Sequence, residues 1–364
     1  GKGSFEKANG MLPNLYETGS VVAVHDVNND GFLDIFIGRV AVPWHYGRSP
    51  KSHLLLNKAG QKFEVTKIGD ANFLEGGMIK DALWADIDNN GEKDLILAAM
   101  WQPIKICFST GGLLASPVSI SEDQGWWQTV EALDYDQDGD LDLLAGNLGL
   151  NSKLQATHEA PLRMYLNDFD DNGQQDPILT YHKGGVESIF VSKKDLSKQL
   201  PGIKKEFLDY KTYAEAPMEQ LFSKDLLNGG EVLVANELRS GVFENNEGQF
   251  TFKAFDLKAQ VSMIRDMLLV DINDDGRIDA LTAGNFFGSS IAEGRYSEDY
   301  GTVLLNTSEG WEVASSMAMG LYLEGQIVQM EPIMIAEKRA FIVVRNDDVL
   351  SIYGNQYFFK KNID

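Results

Sequence analysis

The chain is 364 residues long, with a formal net charge of −22 and 43% hydrophobic residues. That length supports a large core. With 54 acidic side chains against 32 basic ones, the chain has no Lys/Arg excess to displace counterions, which excludes nucleic acid and anionic membrane surfaces as partners. The one cysteine, Cys107, lies in the mostly apolar stretch Ile104–Phe108 and reads as a buried thiol, so no intrachain disulfide is possible. No run approaches the roughly 18 apolar residues of a membrane span, and Gly1–Ser4 do not read as a targeting segment. The expectation is a piece of a longer, exported protein.

Thirty-five glycines and 19 phenylalanines, with turn residues between short apolar runs, predict an all-β chain. Ser20–Val27 and Leu33–Gly38 read as two strands, and the segment between them, DVNNDGFLD from Asp26, recurs down the chain. The copies are DIDNNGEKD from Asp86, DYDQDGDLD from Asp134, DFDDNGQQD from Asp168 and DINDDGRID from Asp271. Carboxylates or amides at positions 1, 3 and 5 converge on one point only where the backbone curls tightly, and the glycine at position 6 permits that curl. A carbonyl at position 7 and the aspartate at position 9 complete an oxygen cage that suits calcium, since magnesium prefers fewer protein ligands.

The predicted ligands are Asp26, Asn28, Asp30, the Phe32 carbonyl and Asp34 in the first loop, and Asp86, Asp88, Asn90, Glu92 and Asp94 in the second. The third has Asp134, Asp136, Asp138, Asp140 and Asp142; the fourth has Asp168, Asp170, Asn172, Gln174 and Asp176. The fifth has Asp271, Asn273, Asp275, Arg277 and Asp279. About five structural calcium ions are expected. An EF-hand would need Glu at position 12, where this chain has Ile37, Leu97, Ala145, Leu179 and Thr282. Single Asp/Gly turns are ordinary surface features, but five in one register are not explained that way.

After the fourth loop, residues 193–222 carry strong helix formers broken by Pro201 and Pro217, which predicts a helical insertion. Glu231–Glu237, Gly241–Asn245 and Gln249–Phe252 read as strands of a unit that has lost its loop. Met330–Ala336, Ala340–Arg345 and Val349–Tyr353 read as a last unit without one. Repeats of this length predict a single-domain β-propeller of seven four-stranded blades, with six or eight still open and Gly3–Lys7 closing the ring.

The loops followed by LDIFIG, LDLLAGN and IDALTAGN, together with the LLLN and VLLN strands, resemble the FG-GAP or VCBS repeats of calcium-loop propellers such as integrin alpha-subunit heads. GNLGLN at 146–151, YLNDFDDNGQQDP at 165–177 and QLP at 199–201 resemble bacterial surface proteins of the ASPIC/UnbV, cartilage acidic protein-like group. The resemblance implies an extracellular or cell-surface, noncatalytic binding module that takes a protein or glycan on the face opposite the loops.

On that face the long connections 39–51 and 284–301 offer Trp44, His45, Tyr46, Arg48, Phe286, Phe287, Arg295 and Tyr296, joined by Trp101. Such side chains can stack on and hydrogen-bond a sugar or a peptide. They also serve as plugs and loop anchors. The alternative function is a calcium-dependent polysaccharide lyase or glycosidase using Glu293, Glu298 and Asp299, although no nucleophile elbow, HExxH or phosphate loop is present.

Overall fold

The structure is a computed structural model that describes residues 6–354 apart from 17, 67–75, 290–293, 315–316 and 318. It is mostly β, and among the described residues its strands form six antiparallel sheets of three or more strands and one two-stranded ribbon. The first sheet is a meander of Thr18–His25, Asp34–Ala41, His53–Asn57 and Phe63–Thr66. The second contains Met78–Ala85, Asp94–Gln102, Lys105–Cys107 and Val118–Ser119, with Gly125–Trp126 paired beside them. Each aspartate loop joins the first strand of a sheet to the second, strand to strand, as the apolar flanks require.

The third sheet departs from the even repeat. Its first two strands, Thr129–Leu133 and Asp142–Gly146, pair with Gly241–Asn246 and Gln249–Ala254, and the fourth sheet lies entirely within residues 147–240. That nested sheet has the order Val186–Ile189, Asp176–Lys183, Leu162–Asn167 and Glu231–Ala235. The expected ligand-free unit is therefore not formed. Its first strand is the edge of the nested sheet, and its other two finish the sheet begun at 129. The short spacing from the third loop to the fourth, and the long one to the fifth, follow from this interruption.

The fifth sheet contains Ile264–Val270, Asp279–Gly284, Thr302–Thr307 and Gly310–Ala314; the sixth contains Ile327–Ile335, Lys338–Arg345 and Ser351–Gly354. Against an expectation of seven units, with six or eight open, the described residues contain six such sheets, of which five carry a loop. The closing strand expected at 3–7 falls mostly outside the described residues, and Glu6 and Lys7 lie in no strand.

Apolar clusters show how the sheets pack. Phe36 and Leu54 of the first sheet meet Ile79 and Leu95 of the second. Ile96 and Ile106 of the second meet Val130, Leu143 and Phe243 of the third. Leu144 and Val242 of the third meet Ile264 and Leu304 of the fifth, and Leu281 and Val303 of the fifth meet Ile327 and Val343 of the sixth. Five sheets therefore stack in sequence, the three inner ones packed on both faces and the two end ones on one, and each fully buried Leu, Ile or Phe contributes about 1.5–3 kcal/mol over its exposed state.

The nested sheet stands outside that series. Its Leu162, Met164, Leu166, Leu179 and Leu233 pack on Met78 and Trp101 of the second sheet and on Met263 and Tyr296 near the fifth. On its other side, five short helices between Lys193 and Asn228 form a separate small core on Phe169, Ile178 and Ile189. Among the described residues no helix is long and apolar enough to cross a membrane.

The entry to the nested segment is fixed by Asn147, which is fully buried. Its Oδ1 accepts from the Trp126 and Leu148 N–H groups at 3.1 and 2.8 Å, and its Nδ2 donates to the Glu237 carbonyl at 3.0 Å. Asn147→Ala leaves these buried groups without partners and is expected to cost about 2–4 kcal/mol. Urea unfolding checks the value; a loss under about 0.5 kcal/mol would contradict this role.

Candidate functional site: the aspartate loops and the capped cavity

All five loops share one hydrogen-bond pattern. The position 1 aspartate accepts from the N–H groups of positions 5 and 6, as with Asp26 (3.1 and 2.8 Å) and Asp86 (3.0 and 2.9 Å). Asp134, Asp168 and Asp271 repeat it. Position 5 accepts from the N–H of position 7 in every loop. Position 4 has a positive φ in each loop, from 56° to 67°, and the position 6 glycine lies between 83° and 102°. Two left-handed residues this close coil the loop, and glycine suits the second because L side chains rarely reach such angles.

The position 9 aspartates point inward. Asp34, Asp94, Asp142, Asp176 and Asp279 are all buried. One oxygen of each accepts from the N–H of position 2, at 2.8–3.1 Å. The other oxygen accepts from the third strand or the turn after it, namely Asn57, Ser109, Asn245 and Asn306 N–H, at 2.7–2.8 Å. In the nested sheet the Gln199 amide takes that place. The asparagines then reach across sheets: Asn245 Nδ2 donates to Ile87 O and Asn306 Nδ2 to Tyr135 O.

The donor set fits a hard divalent cation. Carboxylate oxygens of Asp86, Asp88 and Asp94 lie within 4.8 Å of one another, as do those of Asp134, Asp136 and Asp138, and of Asp168, Asp170 and Asp176. In the first and fifth loops the amides of Asn28 and Asn273 bond Asp30 and Asp275. Burial, then the neighbouring carboxylates Asp138, Glu244 and Asp134, hold the Asp136 carboxyl above its usual range. The side chains at position 7 are not shared equally: Glu92 accepts from Gly111, Gly112 and Ser109, and Asp140 from Asn89 and Glu247.

At the opposite end of the sheets lies a cavity of about 420 Å³ under the nested sheet. Tyr46 from the first sheet, Lys80 and Met100 from the second, Gln128 and Leu148 from the third, and Arg265 and Phe286 from the fifth line it, with Met164 and Leu179 above. Lys80 and Arg265 sit at register shifts near the start of their strands, between Ile79 and Asp81 and between Ile264 and Asp266. Such bulges re-aim side chains. Desolvation lowers the pKa of both cations, and for Lys80 the nearby Arg265 adds to it. Arg265 Nη1 and Trp126 Nε1 are buried with no hydrogen-bond partner.

Of the aromatic and basic residues predicted to bind ligand, Tyr46, Phe286 and Tyr296 converge on this cavity. Trp101 is a packing residue, 2% exposed and edge-on to Trp126 with centroids 5.1 Å apart. Trp44 is 97% exposed, and Arg295 lies 3.7 Å over the Phe287 ring, both away from the lining. His45 and Arg48 form the turn 42–48, which does not line the cavity apart from Tyr46. Asp299 is buried with its carboxylate on the Gly301 N–H, Glu298 is exposed, and Glu293 lies outside the described residues.

Sequence reasoning missed Lys80, Arg265, Gln128 and Trp126. A signal was present: MIKD at 78–81 and MIRD at 263–266 are the same phrase, and Ser20, Lys80, Gln128 and Arg265 all precede the first aspartate of their loops by one fixed interval.

Deeper among the first strands, burial pushes the Glu131 and Asp266 carboxyls up to about 8, reinforced by Asp81 and Glu331. A raised folded-state pKa gives stability that is full below the unfolded value and lost as pH rises through the folded one. The window is therefore about pH 4 to 8. Glu131→Gln is expected to raise the melting temperature at pH 8.5 and to change it little at pH 4.5; equal losses at both would contradict the assignment.

No curated protein matches the chain in sequence. Among solved structures, an Agrocybe aegerita lectin, described by its specific recognition of non-reducing terminal N-acetylglucosamine, aligns over 94% of this chain and 82% of its own. At 14% identity and a TM-score of 0.32, the two differ too much for a ligand to carry from one to the other. Residues 86–145, from the second aspartate loop to the second strand of the third sheet, match the FG-GAP-like repeat family.

Proposed function

We propose that this chain is a propeller-type binding module of the FG-GAP kind, exported and braced by calcium, which holds its ligand in the capped cavity at the end of the sheets opposite the loops. The observation that carries the reading is the cavity itself. Five sheets contribute to one concave site of small-molecule size, lined by aromatic rings and polar groups, while the loops repeat too evenly to discriminate one ligand from another.

Calcium is supported by the coiling of all five loops and by the converging carboxylates of the second, third and fourth, and loops of this kind belong to the sub-millimolar to millimolar range of extracellular modules. The residues that would hold it are those at positions 1, 3, 5 and 9, with a carbonyl from position 7. Bound there, the ion would neutralise carboxylates that otherwise repel, and its role would be structural.

A site with a dissociation constant of about 0.1 mM contributes roughly 2.7 kcal/mol at about 10 mM calcium. Adding calcium to EDTA-treated protein is therefore expected to raise the melting temperature progressively, and Asp134→Asn with Asp136→Asn to remove part of that rise. A thermal melt unmoved by either EDTA or calcium would overturn the bracing role. For the ligand, glycan arrays and small-molecule screens are expected to yield binders that Trp126→Ala or Phe286→Ala weakens and Trp44→Ala does not; the reverse pattern would place binding on the exposed 42–48 turn.

A further inference from the structure

Deepening that reading, and resting on it, we propose that the cavity ligand is an organic acid: one carboxylate held between Lys80 and Arg265, on a ring that lies against Trp126 and Phe286.

The argument begins with charge. The chain carries −22 overall, yet among the described residues no acidic side chain lines this cavity, while two basic ones do. The two carboxylates nearest in sequence spend their hydrogen bonds elsewhere, although Asp81 offsets part of the charge on Lys80. Asp81 accepts from the Thr129 hydroxyl at 2.8 Å and the Val130 N–H at 3.0 Å, tying the second sheet to the third, and also from Ala82 N–H. Asp266 accepts from the Met330 N–H and ties the fifth sheet to the sixth. The repeated Lys/Arg–Asp pair therefore divides its work, the aspartate joining sheets and the cation facing the cavity.

Two like charges brought near one another in a partly desolvated space raise the energy of the free protein. Natural cores rarely keep such a pair without a use, because apolar residues of similar size pack better. Here the donors accumulate: the Lys80 ammonium, the Arg265 Nη1 that has no partner, and the Trp126 indole N–H that has none. All are donors, and a carboxylate offers only acceptors. Guanidinium and ammonium groups give the stronger, charge-assisted bonds to it. The Trp126 and Phe286 rings supply flat apolar surface for the body of the ligand, and about 420 Å³ admits a compound with one or two rings.

An acidic sugar and an aromatic acid share this chemistry. Isothermal titration of the calcium-loaded protein with sodium glucuronate and sodium benzoate, beside glucose and benzyl alcohol as uncharged counterparts, separates the two. At least one acid is expected to bind ten-fold or more tightly than its counterpart and to weaken as salt rises. Arg265→Met is expected to lose that binding at least ten-fold while raising the melting temperature of the ligand-free protein by a few degrees, since it removes an uncompensated charge. Arg265→Lys, which keeps the charge, is expected to retain part of the affinity. Equal binding of uncharged counterparts, weakened by Trp126→Ala, would overturn the acid while leaving the cavity as the binding site. Absence of binding by either acid at millimolar concentration overturns the proposal outright. Acid binding indifferent to Arg265, Lys80 and Trp126 overturns both readings.

Discussion

The fold depends on one buried carboxylate used five times. At position 9 of each loop an aspartate leaves solvent, and in four of the sheets it joins the loop's own second residue to the third strand or the turn after it. Charge-assisted bonds to backbone N–H groups contribute about 1.5–3 kcal/mol each. Desolvation opposes them and prevails, since it lifts Asp94 to about 6 and Asp142 to about 7 in spite of the bonds each accepts. Two hydrogen bonds therefore do not fully compensate the buried charge. Positive charge at the loop would supply a further favourable contribution, and the half-buried aspartates at position 1, with the acids or amides at position 3, would gather it. Metal and latch would then be one device: the cation would hold the loop, and the loop delivers the aspartate that holds the sheet.

How much of this was legible in the sequence depended on whether the information was local. The loops were legible because five choices within nine residues, acid, acid or amide, amide or acid, glycine, acid, recur together in every copy. The sheets on either side were legible from β-branched and apolar runs. The nesting was not. Strands 241–246 and 249–254 look like the continuation of a unit that begins at 231, and only the pairing of Leu143 with Phe243 shows that they end the one begun at 129. Nothing in a short window distinguishes a strand that continues a distant sheet from one that starts its own. The clue was the spacing of the loops, too short before the fourth and too long after it, and a whole sheet inserted into one connection accounts for both.

The residues that line the cavity divide along the same line. Tyr46, Phe286 and Tyr296 stand in long aromatic connections and draw attention by composition. Lys80 and Arg265 stand in apolar first strands, where a lone cation reads as a side chain that reaches out to solvent. The bulge changes that outcome. One extra residue at the start of each strand shifts the alternation, so that the cation faces the cavity and the following aspartate faces the next sheet. Bulges are a property of pairing, not of composition, which is why the repeated MIKD and MIRD phrases carried their meaning only once the partner strands were known.

Loops and cavity lie at opposite ends of the same first strands. Lys80 is six residues from Asp86, about 20 Å at the rise of an extended strand, so a cation in the loop would not touch a ligand beside Lys80. Coupling between them has to run through the rigidity of the strand and of the nested sheet that roofs the cavity. That sheet carries its own aspartate loop, whose position 9 residue is held by Gln199 from the helical segment rather than by a third strand. The roof therefore has a latch of a different kind from the stack beneath it. Because metal and ligand would each favour the folded arrangement, each would tighten the other by mass action even without contact. The fourth loop is where that linkage should be strongest, since it alone organises the sheet that closes over the cavity.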